Sequence, residues 1–548
     1  MNRTEKGRGA FLALMGILFM LQVIAAFCFC MKKTGFHYDE YYSYYSSNVT
    51  RGLVPTDREW KPGSELADEF CFLPGESLNL GTVVRMQSYD VHPPFYYILL
   101  RMACALTPGV FSKWPALGLN LLFFAGSWFL LAGITRRLSG SRTAVFGVCL
   151  LYGLNPAVYS GIVLARMYML LGLLILFVTW LHVRSLESGR RGLSFWLGLA
   201  AAVYLGFLTH YYFAVYLFFL AAAMELYLLL ERAEKKSWGR KIGDCLLYGA
   251  VVVGALGLAV VSYPACLGHI FRGYRGTEAM GAFFDPGNTL GRLRFFVGLL
   301  NEYAFGSLLY VFVLLLALLA LTVFTLRKTG RLRGSRAVRQ AGQGEACREP
   351  YPSLWMVSAA VLGYFAVVTK TALLTAEEAN RYQLPVYGLI LMLAVLALVF
   401  LTQKAAGKRQ RAAFLFSAAV LLLMAGGQLW GLTHGKVLFL YEGDRENVAF
   451  ARENAETPVV YFYNPALTWM IWDDSQELMQ YREIYFVSLA DPAPVQDKTI
   501  LQAERVLVYA ARTDGTREAL EKLAEEMHGR LEKKRELLYS DLYEIIRP

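Results

Sequence analysis

Apolar runs of about twenty residues recur along most of this 548-residue chain, and no other feature narrows its fold so sharply. Wound as an α-helix, such a run crosses a ~30 Å hydrocarbon core. Inside that core every backbone N–H and C=O has to be satisfied within the segment, which selects helices for runs that show no strand-like alternation. With 56% hydrophobic residues and a mean hydropathy of +0.38, a soluble core does not account for the composition. Eleven segments read as spans: 11–31, 114–135, 143–161, 166–184, 194–209, 211–231, 243–263, 305–326, 353–369, 385–402 and 413–432. The first follows a basic, polar stretch and ends at Cys28-Phe29-Cys30-Met31 without a small-residue cleavage pattern, so it reads as an uncleaved span.

Charge orients these spans. The net charge is +11, yet residues 437–548 hold 13 Lys/Arg against 21 Asp/Glu, a net of −8, so the rest of the chain carries +19. That positive charge sits in short loops, at 136–142, 184–191, 232–241, 327–348 and 404–411, and one parse places all of them on one side. This is the pattern of cytoplasmic loops and not of a nucleic-acid surface. The N-terminus is then cytoplasmic. Residues 95–107 are apolar but only thirteen residues long, ~20 Å as a helix; counting them as a crossing would invert every later basic loop. They read as a juxtamembrane or re-entrant helix opening at His92-Pro93-Pro94, since proline suits a first helical turn. In this parse Asp39, Glu40, His92, Arg166, His210, the loop 264–300 and Arg381 gather at the outer face. The loop 327–350 is expected to be flexible.

After residue 432 the chain changes character. Residues 459–463, 483–487, 505–509 and 537–546 read as strands, and 468–481 and 516–530 as helices. The expected organisation is an α-helical polytopic membrane domain, 1–432, whose first outer loop is 32–113, followed by a small extracytoplasmic α/β domain, 433–548. The latter has no glycine-rich phosphate loop and reads as a lid, docking surface or cap. The eight cysteines show no metal-ligand spacing. Cys71 and Cys266 both fall on the outer side, but sequence alone does not pair them.

Two motifs flank the first outer loop: His37-Tyr38-Asp39-Glu40-Tyr41-Tyr42, and Asp90-Val91-His92-Pro93-Pro94-Phe95 about fifty residues on. Carboxylates beside a span are costly unless they line a water-filled site, so they are functional candidates. Together with the topology, the motifs resemble the GT-C superfamily, multi-span glycosyltransferases that take a sugar from a polyprenyl-phosphate carrier on the outer face of a membrane. Protein O-mannosyltransferases carry an Asp-Glu in the first outer loop and a later Asp-Val-His-Pro-Pro-Leu, here with Phe95 in place of leucine. Lipid A aminoarabinose transferases and bacterial family-39-like membrane glycosyltransferases look similar. The likeness spans roughly the first 400 residues.

The resemblance implies that Asp39 is the catalytic base, with Glu40 and His92 shaping the site. A single displacement onto an acceptor hydroxyl needs one carboxylate to take the hydroxyl proton. A lipid-phosphate leaving group needs no acid, only cations. Arg381 (in Arg381-Tyr382 before Pro385), Arg166 (in Ala165-Arg166-Met167-Tyr168) and Lys370 are the candidate phosphate ligands. Asp90, Tyr168, His210, Tyr211 and Tyr382 are candidate substrate contacts, and His269, Arg272 and Arg275 form a weaker outer cluster. The competing readings are an arginine that snorkels to the interface and an aromatic belt. No ligand spacing forces a metal, and a divalent cation, Mg or Mn, is left open.

The expected partners are an isoprenoid-phosphate-linked sugar, a lipid, glycan or protein acceptor, and membrane lipids; the resemblance to bacterial members favours a bacterial plasma membrane. The alternatives are a polysaccharide polymerase or ligase, a non-enzymatic transporter, and a membrane sensor. A transporter predicts charges at mid-bilayer and matched broken halves, whereas the charges here lie near span ends. The sugar, the acceptor and the isoprenoid length are not legible.

Overall fold

The computed structural model describes residues 3–48, 55–230, 237–329, 351–491 and 493–548. Among them, nine helices are long and apolar enough to cross a membrane: Gly7–Lys32, Trp114–Ser139, Tyr168–Ser188, Tyr212–Leu230, Trp238–Ser262, Leu309–Lys328, Pro352–Thr371, Ala376–Ala406 and Gln410–Thr433. The expected span 143–161 is a broken one, Arg142–Gly153 followed by Pro156–Val163 with a 51° bend. The expected span 194–209 falls on a 15-residue helix, Leu193–Phe207, which is only ~22 Å long at 1.5 Å per residue. The loop expected to be flexible lies, from residue 330 to 350, outside the described residues.

The break has a local cause. Pro156 has no N–H to continue the helix, and Asn155 starts a new one by accepting from the Ala157 N–H with its side chain at 2.9 Å. The first span supplies a polar side chain to the same place. Gln22 donates to the carbonyls of Cys149 (3.1 Å) and Leu150 (3.2 Å) and accepts from Trp128 Nε1 at 2.9 Å. Tyr159 Oη donates to the Gly153 carbonyl at 3.0 Å. A buried glutamine in an apolar span is thus explained by the carbonyls it serves.

Three of the basic segments meet at one end of the bundle. Arg142 donates to the Gly7 carbonyl (2.9 Å), Arg137 pairs with Glu187, and Arg191 Nη2 lies 3.2 Å from Asp244 Oδ2. At the opposite end, the segment 32–113 after the first span holds, among the described residues, the α-helices Tyr38–Asn48, Leu80–Gln87 and Phe95–Cys104. Phe95–Cys104 begins directly after Pro93-Pro94 and is ten residues long, too short to cross, as expected. Its first N–H donates to the Leu208 carbonyl at 2.9 Å, which seats His92 beside the turn that carries His210.

The C-terminal sheet has six strands: β1 (Glu59–Pro62), β2 (Val459–Tyr463), β3 (Glu483–Ser488), β4 (Arg505–Ala511), β5 (Arg530–Glu536) and β6 (Ser540–Ile546), in the order β1-β3-β2-β4-β6-β5. β2 runs parallel to β3 and β4, and the other pairs are antiparallel. The parallel strands are buried on both faces: Val460, Phe462 and Val508 pack with Leu520 and Leu523 of the helix Thr516–Glu526, while Val459, Tyr461 and Tyr509 pack with Ile471 and Leu478. The expected helix 468–481 is instead two short turns, Met470–Asp473 and Ser475–Leu478.

β1 belongs to the segment 32–113 after the first span, so the sheet is completed by chain far from residues 433–548. Its sequence, Glu-Trp-Lys-Pro, has no alternation of its own; pairing with the edge of β3 makes it a strand, with Trp60 opposite Tyr485. Gly63 follows because a Cβ there would lie 2.3 Å from the Leu478 carbonyl oxygen and 2.4 Å from that of Tyr481. Further contacts seat the domain on the bundle. Thr34 N–H donates to the Leu440 carbonyl at 2.9 Å, and Trp472 packs on Tyr42 and Tyr45, with ring centroids 4.8 and 4.7 Å apart.

Candidate active site

Asp39 and Glu40 occupy the first turn of the helix Tyr38–Asn48, where carboxylates meet the positive end of the helix dipole. Neighbours in a helix point about 100° apart, and the two acids part company. Glu40 turns inward. Its Oε2 lies 2.9 Å from Lys33 Nζ and both side chains are 0% exposed. The same carboxylate accepts from the backbone N–H groups of His37 and Ala165, each at 2.6 Å. Lys33 also donates to the Phe439 carbonyl at 2.7 Å. Burial lowers the Lys33 pKa and Glu40 opposes that shift. This clamp joins the end of the first span, the Asp39 helix, the 165–167 turn and the stretch of chain leading to the C-terminal domain.

Asp39 points away from that clamp, with its side chain 24% exposed, and its Oδ2 is 2.9 Å from Arg381 Nη1. Its backbone carbonyl accepts from Arg166 Nη1 at 3.0 Å. Burial raises the Asp39 pKa, but the guanidiniums of Arg166 and Arg381, with His37 and His92, outweigh it and hold the carboxyl well below its ordinary range. His37 Nδ1 accepts from the Asp39 N–H at 3.0 Å. Its Nε2 is therefore the protonated nitrogen, and it donates to Glu378 Oε2 at 3.2 Å.

Arg166 rides on the turn after the half-helix Pro156–Val163. Asn120 fixes that turn, donating from Nδ2 to the carbonyls of Gly161, Ile162 and Leu164 at 3.3, 3.1 and 2.7 Å. The arginine is 3% exposed. Its Nη1 also donates to Ser43 Oγ (3.2 Å), and its Nη2 lies 3.3 Å from His92 Nε2. His92 Nδ1 is 3.3 Å from Asp90 Oδ2. Burial and Arg166 depress the His92 pKa against the pull of Asp90, and burial, His92 and Arg166 depress that of His210, so both imidazoles are neutral at neutral pH. Burial raises the Asp90 pKa, but His92 and Arg166 bring it below the usual value.

Arg381 comes from the start of the helix Ala376–Ala406, one turn before Pro385. Its guanidinium also lies over the Tyr382 ring, 5.3 Å from the centroid. The Nε groups of Arg166 and Arg381 are buried with no hydrogen-bond partner in the protein. Tyr168 stands between Tyr382 (5.7 Å) and His210 (5.8 Å).

Asp39, Asp90, His92, Arg166, Tyr168, His210, Arg381 and Tyr382 thus come together from distant segments, and Glu40 braces them from behind. Two candidates lie elsewhere. Lys370 donates to the Asp285 carbonyl (2.6 Å) and Thr289 Oγ1 (2.9 Å), closing a loop of the outer surface. Tyr211 donates to His269 Nδ1 (2.8 Å), whose Nε2 donates to the Ser88 carbonyl at 3.3 Å. Arg275 pairs with Glu278 on the surface. Cys71 and Cys266 are free thiols. Sequence reasoning assigned no role to Lys33, His37 or Glu378. Lys33 reads as the ordinary basic flank of a span, and only its burial distinguishes it.

Glu40 is consumed by the clamp and Asp39 by Arg381, and among the described residues no group of three or more His, Cys, Asp or Glu side chains is arranged to hold an ion.

Part of the chain, and its fold, are similar to known proteins. Residues 91–263 match the dolichyl-phosphate-mannose-protein mannosyltransferase family. The fold matches that of ArnT from Cupriavidus metallidurans bound to undecaprenyl phosphate over 97% of this chain and 98% of ArnT, at 10% identity and a TM-score of 0.51. ArnT in the apo state matches at 12% identity, 99% and 98% coverage and a TM-score of 0.46. The Archaeoglobus fulgidus oligosaccharyltransferase matches at 11% identity, 90% and 67% coverage and a TM-score of 0.42. No curated protein matches the sequence. The chain is a multi-pass membrane protein with the GT-C fold and a small C-terminal sheet domain.

Proposed function

We propose that this GT-C-fold membrane protein is a glycosyltransferase that moves a sugar from a polyprenyl-phosphate donor to an acceptor hydroxyl at the outer membrane face, with inversion, by a single displacement. The observation that carries the reading is the Asp39 carboxylate held 2.9 Å from the Arg381 guanidinium, with a second buried guanidinium, Arg166, bonded to the same residue's backbone. One carboxylate and two cations are the parts that a lipid-phosphate leaving group and an alcohol acceptor require. The match to the mannosyltransferase family supports the reaction class. The fold shared with ArnT, solved with undecaprenyl phosphate, supports the donor class.

In the reaction the acceptor O–H gives its proton to Asp39 as its oxygen attacks the sugar C1. The C1–O bond to phosphate breaks, and the polyprenyl phosphate departs with the electron pair. Arg381 and Arg166 face the phosphate; their unpartnered Nε groups add donors in a buried setting, where charge-assisted hydrogen bonds are strong. Asp39 is a weak base while Arg381 holds it. A donor phosphate competes for that guanidinium, so binding the donor raises the basicity of Asp39 when the proton has to move. His92 and Asp90 orient Arg166. Tyr168, His210 and Tyr382 wall the sugar. Glu40 positions Asp39 and does not exchange a proton. The basic loops at the far end of the bundle support a site on the outer side, by the positive-inside rule.

The test uses the full chain in lipid nanodiscs with a panel of radiolabelled polyprenyl-phosphate sugars, comparing wild type with Asp39→Asn. Turnover that falls at least about a hundredfold in the variant, with donor binding kept, is the expected result for a general base. Equal turnover removes Asp39 from the chemistry, and a wild type that binds none of the donors overturns the reading.

A further inference from the structure

Asp39 stands at a boundary. On one side are the guanidiniums, His92 and the Tyr168–Tyr382 pair; on the other are aromatic rings contributed by two parts of the chain. Tyr38 and Tyr42 lie four residues apart on one helix face, ring centroids 5.0 Å apart and nearly perpendicular at 82°. Trp469 of the C-terminal domain meets Tyr38 at 5.2 Å. Tyr539, from the turn between β5 and β6, closes on Trp469 at 5.0 Å and on Tyr38 at 6.4 Å.

Burial separates this group from ordinary domain packing. Trp472, three residues after Trp469, is 6% exposed and wedged against Tyr42, Tyr45 and Phe70; it anchors the domain. Tyr38, Tyr42, Trp469 and Tyr539 are only half-buried. Tyr539 is close enough to Asp473, Asp39 and Glu378 for all three carboxylates to add to the effect of burial on its phenol. The rings therefore lie near the reacting carboxylate, among acidic groups of which Asp39 and Glu378 are paired with Arg381 and His37 and Asp473 is pushed up by burial to about 7. A neutral pyranose suits these surroundings, because its C–H face is apolar and packs on a ring while its rim hydroxyls bond to phenols and carboxylates.

We propose that Tyr38, Tyr42, Trp469 and Tyr539 form the acceptor subsite, which takes a pyranose unit of a neutral glycan, stacks its C–H face on the rings and presents one hydroxyl to Asp39. This rests on the glycosyl-transfer reading above. The C-terminal domain then has a direct part in acceptor recognition, because half of the subsite is built from it.

The test reads binding without catalysis. Saturation-transfer NMR on the full chain in nanodiscs is run with neutral maltotetraose, cellotetraose and chitotetraose, and with a serine/threonine-rich peptide. At least one neutral tetrasaccharide is expected to receive saturation on its ring C–H protons. Trp469→Leu keeps an apolar filler but removes the ring face; it should weaken the binding about tenfold, the scale of one aromatic contact, as should Tyr539→Leu. Trp469→Phe should restore most of it, which a purely structural role would not require. Binding by none of the neutral glycans, binding indifferent to Trp469→Leu, or binding of the peptide alone overturns the proposal. Failure of the wild type to bind polyprenyl-phosphate sugars overturns the underlying reading, and it is measured separately.

Discussion

The Lys33–Glu40 pair offers the sharpest energetic test. Both side chains are 0% exposed and 2.9 Å apart, so solvent screening is minimal. Replacing Glu40 with Gln keeps the volume but leaves the Lys33 ammonium buried without its countercharge, beside the Phe439 carbonyl. It also turns an acceptor of two backbone N–H groups into a half-donor. Removing one partner of a buried pair costs about 3–5 kcal/mol, because the other charge is left uncompensated. Lys33→Met strands the carboxylate, which keeps its two N–H donors, and belongs at the lower end of that range. The double variant carries no buried charge, so it should be less damaged than the sum of the singles by about 1–3 kcal/mol. Scaled to a chain of this size, each single lowers the thermal midpoint by roughly 3–10 °C. Because the clamp holds Asp39 and the Arg166 turn, turnover should fall about 10- to 100-fold in either single, the cost of an ångström-scale misplacement. Thermal unfolding of the four proteins in nanodiscs, with donor turnover in parallel, measures both effects. Additive singles, or midpoints within about 1 °C of wild type, would refute the argument.

Three further outcomes follow from the same contacts. Arg381→Gln should weaken donor binding by about tenfold or more, one charge-assisted hydrogen bond to phosphate, and should move the acid limb of the kcat/KM profile up toward the ordinary aspartate value of ~3.9; an unmoved limb would show that Arg381 does not set the state of Asp39. Burial, then Asp474, pushes the Glu477 carboxyl up to about 8. A raised folded pKa means that its stability contribution is full below the unfolded value of ~4.3 and is lost as pH rises through the folded pKa. The midpoint of wild type should therefore fall between these pH values more steeply than that of Glu477→Gln, and parallel curves would contradict this. Gly63→Ala should cost about 1–3 kcal/mol through its clash with two backbone carbonyls, seen as faster proteolysis of residues 55–79; unchanged cleavage would mean that the loop shifts freely.

Much of the site was legible because its chemistry is carried by short motifs beside spans. A charge next to hydrocarbon is expensive wherever it falls, so Asp39, Arg166 and Arg381 are candidates without any knowledge of their neighbours, and the family resemblance of their motifs and of the His92 motif singled them out. The same reasoning selected Lys370, which meets the same criterion yet bonds to the 285–289 loop. By itself that reasoning does not separate Asp39 from Glu40; the family resemblance did. A helix turns by about 100° per residue, and only the surroundings reveal which of two adjacent acids faces an arginine and which faces a lysine.

The sequence alone determined the long apolar helices, the short helix after Pro94, four strands read at 459–463, 483–487, 505–509 and 537–546, and the polar residues that converge on one end of the bundle. These are consequences of local pattern: runs of twenty apolar residues, a proline pair, blocks of β-branched and aromatic residues. The tertiary structure decided what depends on a partner from elsewhere in the chain. β1 is a strand only against β3, Gln22 is tolerated only beside the Cys149 and Leu150 carbonyls, and Trp469 reaches Tyr38 only because the sheet domain is seated on the segment after the first span. Hydrophobic burial is nearly additive along the chain and can be read residue by residue. Ion pairs, edge pairing and ring contacts are properties of pairs, and sequence does not state which pairs the fold will make.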